Sequence, residues 1–254
     1  MLKVGRQHFS AIVRSTCEDA ELPNTVQSPI VPYMAPEPSK RRDRYDVTGN
    51  IEGEYVDADQ TVLVNKKGIT DLAPLQTLEE EGLAKAYGSL LSQVRVDTLL
   101  TSELTRYVHR EIFGELYEWA GRWRTVNISK PGITWPPPEF IDENIARWER
   151  NVLRTYPATK LIDDDDFCNA VAEIQGEFLV IHPFREGNAR TIKLLTDLLA
   201  AQTARPLLKY DQDDAGRERY ILAAGQAFRR NYAPMVEIIR QALAAGKQGP
   251  STGP

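Results

Sequence analysis

Apolar residues recur at helical spacing along most of the chain between about residue 68 and residue 245. Side chains three and four residues apart lie on one face of a helix, and an apolar face of this kind packs against a core. Three segments show the pattern most clearly: Leu83, Tyr87, Leu90, Leu91 and Val94; Leu100, Leu104, Tyr107, Val108 and Ile112; and Ile141, Ile145, Trp148 and Val152. The pattern therefore predicts an all-α fold.

Acidic residues mark the start of two predicted helices. Asp71 precedes the first apolar stripe and can accept hydrogen bonds from the free N–H groups of a helix start. Four consecutive carboxylates at residues 163–166 precede another apolar run, where the helix dipole favours negative charge. We interpret this run as a helix start and not as a metal site. Three further helices are predicted over residues 191–202, 213–230 and 234–244.

Only residues 124–130 have the pattern of a β-strand. Pro131 and Gly132 follow them, and β-branched residues continue beyond this turn. The three prolines at residues 136–138 cannot donate to a central sheet ladder. We therefore expect a small exposed hairpin with a free edge.

The first 59 residues differ in composition from the rest. Proline recurs at five positions between residues 23 and 38, which disfavours helix. We predict a Pro-rich, partly ordered arm over residues 1–59, one domain over residues 60–245, and a disordered tail over residues 246–254.

The composition is that of a soluble globular protein: of 254 residues, 42% are hydrophobic and 26% are charged, with a net charge of −5. A negative total argues against binding nucleic acid or an anionic membrane by bulk electrostatic attraction. The two cysteines, Cys17 and Cys168, indicate neither a disulfide framework nor a thiolate metal cage. The chain has no apolar leader at its start and no run long enough to span a membrane. We expect a cytoplasmic protein, and delivery to another cell stays open.

Candidate chemistry is concentrated in residues 182–193, which read HPFREGNARTIK. Gly187 permits a tight turn, after which the backbone amides of residues 187–189 converge at the N-terminus of the next helix. Such amides, together with the helix dipole, form an anion site that suits a diphosphate or triphosphate. Arg190 and Lys193 add two cations on the first turn of that helix.

Glu186 and His182 complete the constellation. A single carboxylate with phosphate oxygens is the usual way in which Mg²⁺ is held, and a histidine can accept a proton from an incoming hydroxyl. The set suits phosphoryl or nucleotidyl transfer, whereas an ordinary helix stop and turn is the alternative interpretation. Of the other histidines, His109 lies on a patterned helix and is predicted to be structural, and His8 has no assigned role.

The motif resembles that of the Fic (Fido) proteins, HPFx(D/E)GNGRxxR, and the resemblance extends from about residue 45 to about residue 244. It implies an all-α core with a β-hairpin flap, and transfer of AMP from ATP to a Ser, Thr or Tyr hydroxyl of a target protein. It also implies that His182 is the base that deprotonates this hydroxyl and that Glu186 holds Mg²⁺. Nucleotide contacts are implied for Glu186, Gly187, Asn188, Ala189, Arg190 and Lys193. The flap residues Ile128, Ser129, Lys130 and Pro131 would line the nucleotide and dock an extended segment of the target.

Two positions depart from the family pattern. Ala189 stands at the second Gly and adds a methyl group where backbone and phosphate come close. Lys193 replaces the last Arg, which keeps the charge but loses the planar fork. Doc, a relative within the family, also departs at that Gly and transfers phosphate. Three alternatives therefore stay open: phosphate transfer, transfer of another nucleoside monophosphate, and a non-catalytic protein that binds nucleotide or protein.

Regulation is a second implication of the resemblance. Many Fic proteins carry an inhibitory segment, (S/T)xxxE(G/N), whose Glu pairs with the last motif cation and blocks productive ATP binding. Two stretches match, one ending in Glu52 and Gly53 and the other in Glu81 and Gly82. Both glutamates are regulatory candidates, and a separate inhibitory antitoxin chain is the alternative.

Overall fold

Seven α-helices and one hairpin make up the regular structure of the residues that the computed structural model describes, 50–130 and 132–248. The helices are α1 (Leu72–Leu91), α2 (Ser102–Phe113), α3 (Ile141–Asn151), α4 (Asp164–Ile181), α5 (Asn188–Gln202), α6 (Asp214–Ala227) and α7 (Ala233–Lys247). The strands are β1 (Ser129–Lys130) and β2 (Ile133–Thr134). The predicted all-α fold with a small hairpin is confirmed.

Helix α4 lies at the centre of the domain. It packs against α3, α5, α6 and α7, while α5 also packs against α1 and α2. The reason is visible in its sequence, because after the acidic first turn the run FCNAVAEIQGEFLVI has almost no polar face and is buried nearly throughout. The buried side chain of Gln175 is satisfied: its amide donates to Thr196 and Tyr210, and it accepts from Tyr220, each at 2.8 Å. The loop from α4 to α5 therefore starts from a rigid, buried platform.

The helix starts agree with the acidic signals in position. Asp163 precedes α4, and its carboxylate accepts the N–H of Asp166 at 2.8 Å, so this cap is confirmed. Asp71 precedes α1, but its side chain makes no capping hydrogen bond. Helix α5 begins at Asn188, three residues before the predicted start at residue 191, because the left-handed Gly187 turns the chain directly into the helix.

The hairpin is shorter than the strand pattern indicated. Only two residues of each leg pair, in the register Ser129 with Thr134 and Lys130 with Ile133. The flanking residues instead build a small apolar cluster from Val126, Ile128 and Trp135, separate from the main core. This cluster anchors the base of the hairpin.

The described part of the predicted arm lies against the domain. The side-chain amide of Asn50 donates to the Thr125 hydroxyl at 2.8 Å, and Tyr55 forms an isolated β-bridge with Leu63. At the other end, α7 continues to Lys247, three residues past the predicted helix end at 244. Residues 1–49 and 249–254 lie outside the described range, so the limits of arm, domain and tail stay predictions. Within residues 50–130 and 132–248, no helix has both the length and the apolar character that crossing a membrane requires.

Candidate active site

The motif residues 182–187 form the loop between α4 and α5, and side chains of the loop hold its shape. Asn188 is buried, and its side chain bonds Phe184 twice: Oδ1 accepts the Phe184 N–H and Nδ2 donates to the Phe184 carbonyl, each at 2.9 Å. Phe184 is itself fully buried. The Asn188 side chain is therefore committed to the fold of the loop, and only its backbone is available to a ligand.

Gly187 is required at its position for two reasons. Its φ of 77° is in the left-handed region that favours glycine. A Cβ at this residue would also lie 2.2 Å from Cε2 of Phe113, a ring buried in the core. The glycine thus lets the start of α5 lie directly on helix α2.

The first turn of α5 presents free backbone donors. The first bond back from this helix joins the Thr191 N–H to the Gly187 carbonyl at 2.9 Å. Within the described residues, the N–H groups of Asn188, Ala189 and Arg190 have no acceptor, as expected for a helix start. Ala189 packs its methyl group against the main core. Three unpaired N–H groups thus lie at the positive end of a helix dipole, which favours an anion. They are not quite the predicted set of residues 187–189, because the Gly187 N–H donates to the Glu186 carboxylate.

Glu186 lies beside these amides, with its side chain 51% exposed. One carboxylate oxygen accepts the Gly187 N–H at 2.9 Å and lies 3.6 Å from a guanidinium nitrogen of Arg190. No group of three or more His, Cys, Asp or Glu side chains within the described ranges could hold a metal by itself. An accessible lone carboxylate fits a cation that takes its remaining ligands from phosphate oxygens and water.

Arg190 is held from behind by a buried carboxylate. Glu79 on α1 accepts from Arg190 at 2.7 Å with one oxygen and from the Tyr117 hydroxyl at 2.5 Å with the other. The Glu79 side chain is only 9% exposed, and the guanidinium also lies 4.7 Å from the centre of the Phe113 ring. One end of the guanidinium is thereby fixed, and the other faces Glu186 and the free amides.

His109 supports the loop from inside the core. The Gly121 N–H donates to Nδ1 at 2.9 Å, so the proton of the neutral ring is on Nε2, which donates to the Glu186 carbonyl at 3.1 Å. The ring stacks on Phe184 with centroids 3.8 Å apart. Burial lowers the pKa of His109 to about 3 although the Glu186 carbonyl acts in the opposite direction. His109 therefore has a structural role, as predicted: it holds the backbone of Glu186 in place.

His182 ends α4 in a left-handed conformation, with φ 51° and ψ 59°. Its ring packs on Trp135 of the hairpin with centroids 4.2 Å apart, and its carbonyl accepts from Nε of Arg124 at 2.9 Å. Burial, followed by the positive charge of Arg124, lowers the pKa of His182 to about 3. The ring is therefore unprotonated near neutral pH, which is the state that a proton acceptor needs.

Lys193 points into an aromatic environment. Its ammonium lies 4.0 Å from the ring centres of both Tyr210 and Tyr220. Burial lowers the pKa of Lys193 to about 8, against the pull of Asp197. Lys193 and Arg190 line a cavity of about 380 Å³ between α5, α6 and α7. Contact between Lys193 and a phosphate stays a prediction.

The predicted flap residues lie on the first leg of the hairpin. Ile128 is buried in the apolar cluster, Ser129 is partly exposed and Lys130 is exposed. Pro131 lies outside the described residues. Trp135, which sequence analysis did not single out, joins the hairpin to His182 and donates from Nε1 to the Leu179 carbonyl at 3.0 Å.

The two regulatory candidates occupy unlike places. Glu52 is buried, and its carboxylate accepts the Thr125 N–H at 2.7 Å. Glu81 is exposed on α1. Within the described part of the chain, neither forms an ion pair with Lys193, and the glutamates that do meet a motif cation are Glu79 and Glu186, both on Arg190.

Arg124 and Glu79 are not among the site residues that the sequence predicted. Glu79 carries a signal, because it lies at helical spacing with Leu75, Ala86 and Leu90 on the buried face of α1, where a carboxylate requires a partner. Arg124 carries none, because one of its acceptors is 58 residues away in the sequence.

Gly187→Ala should destabilise the protein by at least about 2 kcal/mol more than Gly68→Ala. Both glycines have positive φ, but a Cβ at Gly68 meets no atom within 4 Å, so the control measures strain without the clash. Urea unfolding of both variants gives the comparison. Equal losses would show that the contact with Phe113 is relieved at no cost.

Acid should destabilise the folded state through His109. The unfolded chain takes up a proton near pH 6.5 and the folded chain does not, so stability falls as the pH drops from 7 towards 3. For His109 alone the loss between pH 7 and pH 5 is about 2 kcal/mol. Urea unfolding at both pH values, with His109→Gln as the comparison, measures it. The variant should be less stable at pH 7 but lose less on acidification, and an unchanged pH dependence would contradict the assignment.

Most of the chain is similar to known proteins. Residues 99–200 match the family model described as the Fic/DOC family. The chain is 27% identical over 189 residues to the protein adenylyltransferase VbhT of Bartonella schoenbuchensis, covering 74% of this chain and 38% of that protein. It is 26% identical over 182 residues to the probable protein adenylyltransferase y4lH of Sinorhizobium fredii, covering 72% of this chain and 91% of that protein. The chain therefore spans well under half of the first relative and most of the second.

Solved structures share the fold. The N-terminal FIC domain of Bep8 from Bartonella sp. 1-1C superposes with a TM-score of 0.63 at 20% identity, covering 76% of this chain and 96% of that domain. The BepC protein of Bartonella tribocorum, solved with bound AMPPNP, gives a TM-score of 0.61 at 20% identity, covering 76% of this chain and 97% of that structure. Residues 99–200 thus match the Fic/DOC family model, and the chain has the fold of the solved Fic domains.

Proposed function

We propose that this protein is a protein adenylyltransferase that transfers AMP from ATP to a Ser, Thr or Tyr hydroxyl of a target protein. The observation that carries the proposal is the shared loop of His182 and Glu186, which ends at the three free N–H groups of α5. A proton acceptor, an accessible carboxylate and an anion site on one rigid loop are the parts that in-line nucleotidyl transfer needs. The names of the two relatives, both adenylyltransferases, support AMP as the group transferred.

The polyphosphate of ATP binds at the start of α5. The N–H groups of Asn188 and Ala189 donate to phosphate oxygens, and the methyl group of Ala189 is no obstacle where it packs on the core. Arg190 offers the end of its guanidinium that Glu79 does not occupy. The neighbouring cavity of about 380 Å³, with its tyrosines and Lys193, provides further room beside this site.

Glu186 is the residue that would hold Mg²⁺. Its side chain is half exposed, it faces the same free amides, and a single carboxylate is sufficient when phosphates supply the other ligands. When bound, the ion would neutralise part of the phosphate charge. His109 keeps the Glu186 backbone in place for this purpose.

His182 takes the proton from the target hydroxyl. The hydroxyl oxygen then forms a bond to the α-phosphorus of ATP, the bond from that phosphorus to the bridging oxygen breaks, and pyrophosphate leaves. The chain's contribution is a neutral imidazole in a fixed orientation, since burial and Arg124 lower the pKa of His182. The target segment is held beside the hairpin, whose short strands leave backbone donors and acceptors for an added strand.

His182→Ala should lower AMP transfer by at least about 100-fold, because proton removal by a positioned base contributes an effect of that size. Intact-mass analysis of lysate proteins incubated with Mg-ATP measures the group added. His8→Ala, at a histidine with no assigned role, is the matched control and should retain full activity. Equal labelling by His182→Ala would overturn the role of the base, and a phosphoryl adduct in place of AMP would select the Doc-like alternative. If Mg-ATP fails to bind in calorimetry even after Glu52 and Glu81 are changed, a non-catalytic protein-binding role is selected.

Regulation by Glu52 or Glu81 stays a prediction from the family resemblance. Because neither carboxylate contacts Lys193, we expect no activation from Glu81→Gln, and a loss of activity from Glu52→Gln, which removes a charged acceptor from Thr125 at the base of the hairpin. Transfer assays on both variants beside wild type provide the test. An increase of several-fold in either variant would restore that glutamate as the inhibitor, and no increase in either would leave a separate inhibitory chain or none.

A further inference from the structure

Arg124 is a buried cation placed between the motif loop and the hairpin. Its side chain is 2% exposed, and its three guanidinium nitrogens donate to three different backbone carbonyls. Nε donates to His182 at 2.9 Å, Nη1 to Val126 at 2.8 Å and Nη2 to Pro136 at 2.6 Å. Its own backbone N–H donates to the carbonyl of Pro183 at 2.8 Å. All three guanidinium nitrogens of Arg124 therefore donate a hydrogen bond.

The three acceptors lie on both legs of the hairpin and on the motif loop. Val126 precedes β1 and Pro136 follows β2, so two of the bonds tie the two legs of the hairpin to one another. The third bond joins both legs to His182. Burying a guanidinium is costly unless its donors are satisfied, so a loss of any one of these contacts weakens the arrangement.

The backbone conformation of His182 requires contacts that hold it in place. A non-glycine residue with φ 51° lies in a sparsely populated region and persists only where its surroundings enforce it. Arg124 holds the carbonyl of His182 on one side, and Trp135, next to Pro136, packs on its ring on the other. The direction of the imidazole is thus set by the same side chain that holds the hairpin closed at its base.

The charges around this pair are few. The cations that face His182 are Arg124 and Lys130. Arg124 is itself near Arg185, and the buried carboxylate of Glu52 lies close enough to offset the two positive charges. Arg124 is therefore the main charged neighbour of the imidazole.

We propose that Arg124 is a positioning residue that orients His182 and locks it to the hairpin on which the target segment docks. The catalytic consequence rests on the proposed function, whereas the geometric consequence does not. Lysine cannot take its place, because one ammonium cannot reach three carbonyls that a planar guanidinium meets with three separate nitrogens.

NMR of the full chain tests the geometry without any nucleotide. The sequence has only three histidines, so long-range ¹H–¹⁵N spectra resolve the His182 ring, with His109 as an internal reference. In Arg124→Gln the pKa of His182 should rise by at least about one unit, because a nearby positive charge has been removed. Arg122→Gln, an exposed neighbour, is the matched control and should leave the ring unchanged.

Arg124→Lys separates position from charge. We expect the pKa of His182 to stay near its wild-type value, while hydrogen exchange across residues 125–137 becomes faster. In the transfer assay kcat should fall about 10- to 100-fold, with the KM for ATP changing less than about threefold, since misplacement of a reacting group affects the chemical step. Because a smaller folded fraction would also lower the apparent kcat at unchanged KM, kcat is calculated per folded protein, with the folded fraction measured by circular dichroism.

The outcomes decide between the two proposals. An unchanged His182 titration in Arg124→Gln, together with unchanged hydrogen exchange in Arg124→Lys, overturns the positioning role. If Arg124→Gln does not fold, hydrogen exchange in Arg124→Lys decides alone. If the NMR and hydrogen-exchange results are as expected but wild type transfers no AMP, the positioning role stands and the proposed function fails.

Discussion

The site depends on the burial of helix α4, which is nearly complete from Ala170 to the end of the helix. A helix enclosed by four others cannot shift or rotate without disturbing the packing of the whole domain, since protein interiors are packed as densely as organic crystals. Its last residue, Ile181, is fully buried, and His182 follows immediately. The motif loop therefore begins at a point that is fixed in space, and short-range forces need to determine only the six residues before α5.

Buried hydrogen bonds hold those six residues in place. The Asn188 side chain closes the loop on itself, His109 holds the Glu186 carbonyl, and Arg124 holds the carbonyl of His182. Each such bond contributes only about 1 kcal/mol net, but leaving its partner unsatisfied costs more. The asymmetry favours one conformation of the loop over its alternatives. A rigid motif loop suits a reaction whose rate depends mainly on the placement of the reacting groups.

The two departures from the family motif have different structural contexts. Ala189 directs its methyl group to the core, so its backbone donor is kept. Lys193 lies between two tyrosine rings beside a cavity, and the paired cation of the site is Arg190. The lysine that replaces the arginine thus lies in an aromatic environment that stabilises its ammonium by cation–π contacts.

The sequence by itself determined the helices, the hairpin and the motif. These follow from local rules: apolar spacing along α2 and α3, the carboxylates before α4, and the Gly-Asn turn whose amides start α5. Only the tertiary structure decided how the motif is held. The acceptors of Arg124 and the partners of Glu79 come from segments far apart in the chain, and no periodic pattern records which of them will meet. A helix can be inferred from neighbours three and four residues away, whereas a buried ion or hydrogen bond becomes meaningful only when packing brings its partners together.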